Sequence, residues 1–514
     1  MATDKVVIAN RTAMHAQYGI AGVQAIDAAL AKLIAADLKR GIKTDVVDIS
    51  HSGEMTGFGG FAVVAPTDER GAKQAVDAIC GRLNPDYVML LGGPDIVPHI
   101  ALDRIRGVTD SDATTESDLP YASPAPFSRS AQRYLNVTRV VSRLPTPRGT
   151  ATADALVILL DASAAHVTRP AGDLIDFFSI TADSWLASTQ LSLNSVFGRH
   201  QGLYIAPQDG HQTIDPDLKR LPHFINCHGA QNDWRFYGEK NGVFPVAMES
   251  ALTEPHVGPG TVVAAECCYG AELYDHTING WQQPICMSYL LKGAAAFMGS
   301  TNIAYGPAAS NGQADLICQS FLENVLAGAS VGRAMLQARQ HFVSTQAMST
   351  PVNLKTLAQF VLYGDPSLHV TLPASDGSQE EDDDAFAALS DEVDGKIARK
   401  ARRMALDSDG RAIASAATFA GTPADVPAET ERRLREIARS HHFVIEPKVY
   451  HVSGGSGFRA TAKRLGRERK VAIAVERAET PFRTDTGVEL PSYRAFVAHI
   501  MDDGLTRVEI SESR

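Results

Sequence analysis

Two short apolar runs, each ending in a polar, glycine-punctuated turn, dominate residues 221–274 (LPHFINCHGA…TVVAAECCYGAELY). Phe224-Ile225-Asn226-Cys227 leads into His228-Gly229, and Val262-Val263-Ala264-Ala265-Glu266 leads into Cys267-Cys268-Tyr269-Gly270. A continuous apolar run of this length bounded by a turn reads as a central parallel strand, and open α/β sheets gather their chemistry outside the carboxyl ends of such strands. An imidazole and two thiols therefore stand where a reaction would be run.

The chain has 514 residues, more than one core usually serves, and implies two or three domains. Its 48 Lys plus Arg against 59 Asp plus Glu give a net charge of −11, which argues against nucleic acid or an anionic membrane surface as partner and leaves cationic substrates open. The start, MATDKVVIAN, has no signal-peptide pattern, and no apolar run approaches the ~18 to 20 residues of a membrane span, so a soluble, cytoplasmic protein without a membrane partner is expected. The cysteines at 80, 227, 267, 268, 286 and 318 have no repeated spacing and form no disulfide framework. Reduced thiols are the simpler reading.

From the start, Val6–Ala9 reads as a strand, 21–39 as a helix with apolar residues three and four apart, Thr44–Ile49 as a strand and about 71–83 as a second helix. Tyr87–Leu91 is a buried strand broken by Gly92-Gly93-Pro94-Asp95. Alternating strands and helices mean an α/β fold with a mostly parallel sheet flanked by helices. No GxGxxG opens a helix after the first strand, which argues against a dinucleotide site. The stretch DSDATTESDLPY (110–121) carries Asp110, Asp112, Glu116 and Asp118, and reads either as a solvated loop or as the rim of an active site. Asn136–Leu144 is a further strand, closed off by Pro145 and Pro147, while 151–166 is apolar enough for helix or strand. Trp281–Leu291 is expected helical, Gly293–Asn302 a strand ending in small polar residues, and 312–327 and 330–345 two amphipathic helices.

Together YVMLLGGPDIVPH (87–99), SDLPYA (117–122), INCHGA (225–230), AAECCYGA (264–271), GAAAFMGSTN (293–302) and LYGDPSL (362–368) stand in the order found in one family. Residues 1 to about 372 resemble the gingipain-type cysteine peptidases of the wider caspase-like group, which includes legumain, clostripain, separase and metacaspases. The resemblance implies a caspase-like fold of two subdomains, 1–150 and 151–372, the second carrying a His/Cys dyad.

The chemistry also follows from the residues. Amide hydrolysis needs a nucleophile, a proton carrier and donors to the tetrahedral oxyanion; a thiol and an imidazole in hydrogen-bond reach supply the first two. His228 is the expected general base and acid. Successive residues of an extended strand point to opposite faces, so only one of Cys267 and Cys268 can face it. The Cys-x-x-Gly pattern of gingipains, legumain and separases selects Cys267, whereas the Cys-x-Gly of caspases themselves would select Cys268. Cys267 is expected as nucleophile, with its own N–H and that of Gly229 as oxyanion hole, and Cys268 is the alternative. Cys227 faces away as core. Cys227, His228, Cys267 and Cys268 make a Cys₃His set, but adjacent residues cannot easily turn both side chains to one metal, and neither a metal nor a cofactor is expected. Family members often hold the histidine with a group from the first subdomain, which makes Glu116 and Asp118 candidates for orienting His228 or lining the substrate pocket. Asp275 and Glu272, just after the nucleophile turn, are near enough to contribute, and Tyr305 falls about where gingipains place an aromatic pocket wall. An acidic wall would select Arg or Lys before the scissile bond.

Past Leu372, the acidic run ASDGSQEEDDD and the basic KIARKARR (396–403) make 373–427 an exposed linker, with a self-cleavage site as the sharper alternative, since caspase-like enzymes are often zymogens. Asp407-Ser408-Asp409-Gly410 resembles a calcium loop but has Thr418 where the liganding Glu belongs. Residues 428–514 read as a small α+β domain, a helix and then strands at 443–452, 457–463, 470–477, 493–501 and 506–510, with a regulatory or recognition role. The expected protein is a cytoplasmic, bacterial-type cysteine endopeptidase acting on protein or peptide through an acyl-enzyme and controlled by an activating protein partner. The competing readings are an inactive caspase-like scaffold that binds a partner and a transpeptidase using the same acyl-enzyme.

Overall fold

The computed structural model describes residues 3–210, 214, 217–252, 256–278, 280–372, 418–453, 469–478, 482–501 and 504–514. Ten strands, β1 (Lys5–Ala9), β2 (Thr44–Asp48), β3 (Tyr87–Leu91), β4 (Val141–Leu144), β5 (Phe178–Ala182), β6 (Leu203–Ala206), β7 (Pro222–Asn226), β8 (Val262–Ala265), β9 (Ala296–Ser300) and β10 (Phe360–Tyr363), share one sheet. Their order is β2-β1-β3-β4-β10-β9-β8-β7-β5-β6, and its pairings are parallel except β9 with β10. Every residue of the eight strands between the edge strands β2 and β6 is buried, as a parallel sheet covered on both faces requires. The expected α/β architecture is present, and the two units expected from the sequence are halves of this single sheet.

Their seam explains the Gly-Asp-Pro turn. Tyr363 of β10 pairs with Arg143 of β4, and the chain then turns at Gly364, whose φ of 128° and whose approach to the Ala295 carbonyl both exclude a side chain. Asp365 in that turn binds the fully buried Lys5 of β1 at 2.7 Å, and Asp37 binds the same ammonium at 2.5 Å. Asp37 lies on helix α1 (Arg11–Lys39), which starts ten residues before its expected boundary because Asn10 caps it by accepting from Ala13 N and because it runs on through a kink at Gly19. By length and composition α1 is apolar enough to cross a membrane, a correction to the expectation that no such segment exists. Here Val23, Ile26, Leu30 and Leu33 are buried in the core. The undecided stretch 151–166 is a helix, Asp154–Ala165, packed along α1.

The C-terminal strands β11 (Thr418–Pro423), β12 (Lys448–Ser453), β13 (Arg469–Arg477), β14 (Tyr493–Met501) and β15 (Gly504–Ser513) form an antiparallel sheet. A helix, Ala428–Ser440, contributes Leu434 and Ala438 to a core shared with Phe443 and Phe496. The sheet has a sixth member from the catalytic unit: Tyr305 and Gly306 pair antiparallel with Ser513 and Glu512. The expected strand 457–463, the calcium-loop candidate 407–410 and the self-cleavage candidate 396–403 lie outside the described residues.

Candidate active site

Strands β7 and β8 run in register up to the site. Val262 pairs with Pro222 and Ala265 with Ile225, and Glu266 N donates to Ile225 O at 2.8 Å. The ladder stops there: Cys268 N turns to Arg514 O at 2.9 Å, and His228 pairs with Tyr237 in a separate antiparallel ribbon, so the two thiols have different neighbours. Cys267 is held against the Cys227 backbone, and burial pushes its thiol well up. Cys268 Sγ accepts from Ala304 N at 3.3 Å; burial pushes this thiol up to about 12, eased by the backbone of Ala304 and Arg514. Among the described residues no group of three or more His, Cys, Asp or Glu side chains is placed to hold a metal ion.

Glu239 orients His228, accepting from its Nε2–H at 3.0 Å. Burial lowers the imidazole pKa and Glu239 opposes that shift, so the ring is neutral with its lone pair on Nδ1. That Nδ1 is buried and has no hydrogen-bond partner, the state expected of a base waiting for a proton. Trp185 packs on the ring at 4.2 Å between centroids. Next along the chain, a Cβ on Gly229 would lie 1.9 Å from the Cys268 carbonyl oxygen, so only glycine permits the two turns to touch. On the other side Tyr269 holds a left-handed φ of 55°, a strained conformation pinned by its N–H to Asn302 O at 2.9 Å and its hydroxyl to Asp112 at 2.7 Å.

Beside Cys268 lies a buried acidic pocket filled by Arg514. Glu266, at the end of β8, takes Arg514 Nη1 at 2.5 Å; both carboxylate oxygens of Asp315 take Nη2 at 3.0 Å, and Pro307 O takes it at 3.2 Å. The guanidinium stands 5.2 Å from the centre of the Trp185 ring. Burial opposes the Arg514 charge, yet the two carboxylates outweigh it and its pKa is raised. Burial raises both Glu266 and Asp315, the charge of Asp315 adds to the rise at Glu266, and Arg514 opposes both. The arginine backbone is held as well: Arg514 N donates to Ala304 O at 3.0 Å, and Cys268 N donates to Arg514 O at 2.9 Å.

The acids singled out in the sequence do other work. Asp118 accepts two hydrogen bonds from Arg143, at 2.6 and 2.9 Å, and Glu116 pairs with Arg148 at 2.5 Å and His99 at 3.3 Å, which hold it down to about 2 against the upward push of burial. The carboxylate that hydrogen-bonds His228 is Glu239, from the catalytic half, so Glu116 and Asp118 do not orient the imidazole as expected. Asp110 and Asp112 are buried around Lys355 rather than solvated, and Asp112 braces the Cys268 turn by accepting from the Tyr269 hydroxyl and from Ile303 N. Glu116, Glu272 and Asp275 line a cavity of about 440 Å³ with Arg148, Asn232 and Tyr269. Burial pushes Glu272 there up to about 8. Tyr305 is buried, its hydroxyl on Asp110 at 3.0 Å and its backbone on β15. Sequence reasoning missed Glu239, Asp315 and Trp185. For Glu266 the signal was present: a carboxylate ending an apolar strand.

With this geometry, the model of peptidase family C25 matches residues 216–371, which hold His228, both thiols, Glu239, Glu266 and Asp315. Residues 216–371 belong to peptidase family C25. They are the part of the expected resemblance to gingipain-type cysteine peptidases, residues 1 to about 372, that the family model covers. Among solved structures, a complex of the Porphyromonas gingivalis RgpB pro- and mature domains is 11% identical over 99% of both chains, with a TM-score of 0.49. A structure described only as a protease is 12% identical over 99% of this chain and 97% of that one, with a TM-score of 0.46. The Saccharomyces cerevisiae separase–securin complex is 14% identical over 46% of this chain and 14% of that one, with a TM-score of 0.28. No curated protein matches the chain significantly.

Proposed function

We propose that the chain is a cysteine endopeptidase that cleaves after arginine, with Cys268 as nucleophile, His228 as general base and acid, and Glu239 as the group that orients the imidazole. One observation carries the reading: in a segment that matches C25, the N–H of Cys268 is hydrogen-bonded to a main-chain carbonyl, while the arginine bearing that carbonyl fills a two-carboxylate pocket. In the reaction His228 Nδ1 takes the Cys268 proton and the thiolate attacks the substrate carbonyl carbon. The Cys268 N–H stabilises the oxyanion, a donor worth about 2.7–4 kcal/mol in comparable sites. As the C–N bond breaks, His228 returns the proton to the leaving amine. Water, deprotonated by the same imidazole, then cleaves the thioester and frees the carboxylate product. An extended substrate would lie antiparallel on Ala304–Gly306 with its arginine between Glu266 and Asp315, as strand addition to a sheet edge supplies affinity and the pocket supplies choice. The six unpaired cysteines support a reducing, cytoplasmic setting. The test is cleavage of a peptide library followed by mass spectrometry. Cuts confined to bonds after arginine, with lysine weaker because it cannot form the bidentate contact, are expected. Cuts without basic preference would remove the specificity, and no cuts by a protein with an open groove would remove the activity.

A further inference from the structure

We propose that the sheet of residues 418–514 holds the peptidase off by filling its own substrate groove, with β15 as the substrate strand and Arg514 as the residue before the scissile bond. The proposal rests on the arginine-peptidase reading for its chemistry, but its evidence is the packing. Every contact expected of a bound arginyl peptide is already made within the chain. Ser513 and Glu512 pair antiparallel with Tyr305 and Gly306. Arg514 N–H and C=O engage Ala304 and Cys268, and the guanidinium is bound by Glu266 and Asp315 with no exposed surface. Gly306 belongs to the fit, because a Cβ there would come within 2.1 Å of Arg514 Nη2.

A second part of the same unit covers the histidine. The hairpin of Phe482–Arg483 and Glu489–Leu490 stacks Phe482 on Phe244 at 4.8 Å and brings it within 6.1 Å of His228, and Tyr237 and Thr486 share a hydrogen bond at 3.3 Å. Thiol and imidazole are thus closed over from two directions by residues that lie outside the 216–371 match. The way out is also set by the pairing. β15 is joined to β14 by eight residue pairs and to Tyr305 and Gly306 by two, while Val471, Ile473 and Val497 of the same sheet pack into the main core, so the end of β15 leaves the groove and the sheet stays in place. A partner that binds this unit and draws Arg514 out would act as the activator.

The test measures binding and catalysis separately. In full-length protein carrying Cys268→Ala, which removes the reacting sulfur, the probe is a fluorescein-labelled peptide Ile-Ser-Glu-Ser-Arg, the sequence of residues 510–514. Adding Arg514→Ala is expected to tighten its binding at least tenfold, and Arg514→Lys, which keeps a cation but loses the fork, to tighten it by less. With Cys268 intact, Arg514→Ala is expected to raise kcat/KM for an arginyl coumarylamide at least tenfold, and the free peptide should then inhibit competitively. Tighter binding without hydrolysis would support the plug and defeat the peptidase reading. Hydrolysis by Arg514→Ala no faster than by wild type, with probe binding unchanged in both variants and their cooperative thermal melts retained, would overturn the plug and leave the peptidase standing.

Discussion

The backbone N–H of Cys268 donates to the carbonyl oxygen of Arg514 at 2.9 Å, a contact that places the arginine carbonyl next to one of two adjacent thiols and not the other. Cys267 turns instead to the Cys227 backbone. Read in an Arg514→Ala background, Cys268→Ala is therefore expected to abolish both arginyl-peptide hydrolysis and covalent labelling by an arginyl acyloxymethyl ketone. Cys267→Ala, a small change in a core position, should keep kcat within about threefold at a cost of about 1 kcal/mol in stability. Intact mass after labelling reads the outcome, and a labelled Cys268→Ala protein would return the nucleophile to Cys267.

Glu239 holds the imidazole tautomer and supports its protonated form. Removing that carboxylate lowers the His228 pKa further, since Glu239 is the main group that opposes burial. In Glu239→Gln the acid limb of kcat/KM is expected to move to lower pH, with kcat down by roughly 10- to 100-fold, the usual span for a positioned proton carrier. Apparent pKa values belong to the thiol–imidazole pair, so the direction of movement is the readout. An unmoved acid limb would place His228 outside the titrating pair.

Asp315 engages the guanidinium through both oxygens and also accepts from Gly312 N at 3.1 Å, which fixes its direction at the start of the helix Gln313–Leu326. Asp315→Asn leaves the shape and removes the charge. A charged hydrogen bond contributes about 1.5–3 kcal/mol, so in the Arg514→Ala background kcat/KM for arginyl substrates should fall roughly 10- to 100-fold, mostly in KM. A neutral residue before the scissile bond should lose much less. Equal losses for both substrate types would assign Asp315 to helix capping alone.

Periodicity located what the backbone builds by itself. The central strands, the helices over 313–326 and 331–345, and the two turns at His228 and Cys268 were legible because apolar runs and glycine breaks are local signals. The choice between Cys267 and Cys268 was not, because alternation says only that the two differ, and the partners that tell them apart, the Cys227 backbone and Arg514 O, come from distant segments. Glu239 and Asp315 reach the site from elements 11 residues after His228 and 47 residues after Cys268, and no short motif ties them to it. The acidic stretch 110–118 misled for a different reason. A run of carboxylates looks solvated until its cations are known, and Lys355 and Arg143 lie far along the chain. β15 reads as an ordinary amphipathic strand, and nothing in its own sequence marks the groove that it enters.

Asp118 and Arg143 form a buried bidentate pair at the end of β4, with Arg143 also donating to Val97 O at 2.6 Å and Gly92 O at 3.0 Å. Burial would raise the Asp118 pKa, but the guanidinium and His99 outweigh it and hold the carboxyl well below its usual range. A depressed carboxylate contributes stability that is present above its unfolded pKa of about 3.9 and is lost as pH falls through the folded value. Asp118→Asn leaves the arginine buried without its counter-charge, and breaking such a pair costs about 3–5 kcal/mol. Urea unfolding followed by far-UV circular dichroism is expected to show that loss at pH 7, with a gap between wild type and variant that narrows below pH 4. A gap that stays constant down to pH 2 would mean that the loss comes from packing and not from the charge.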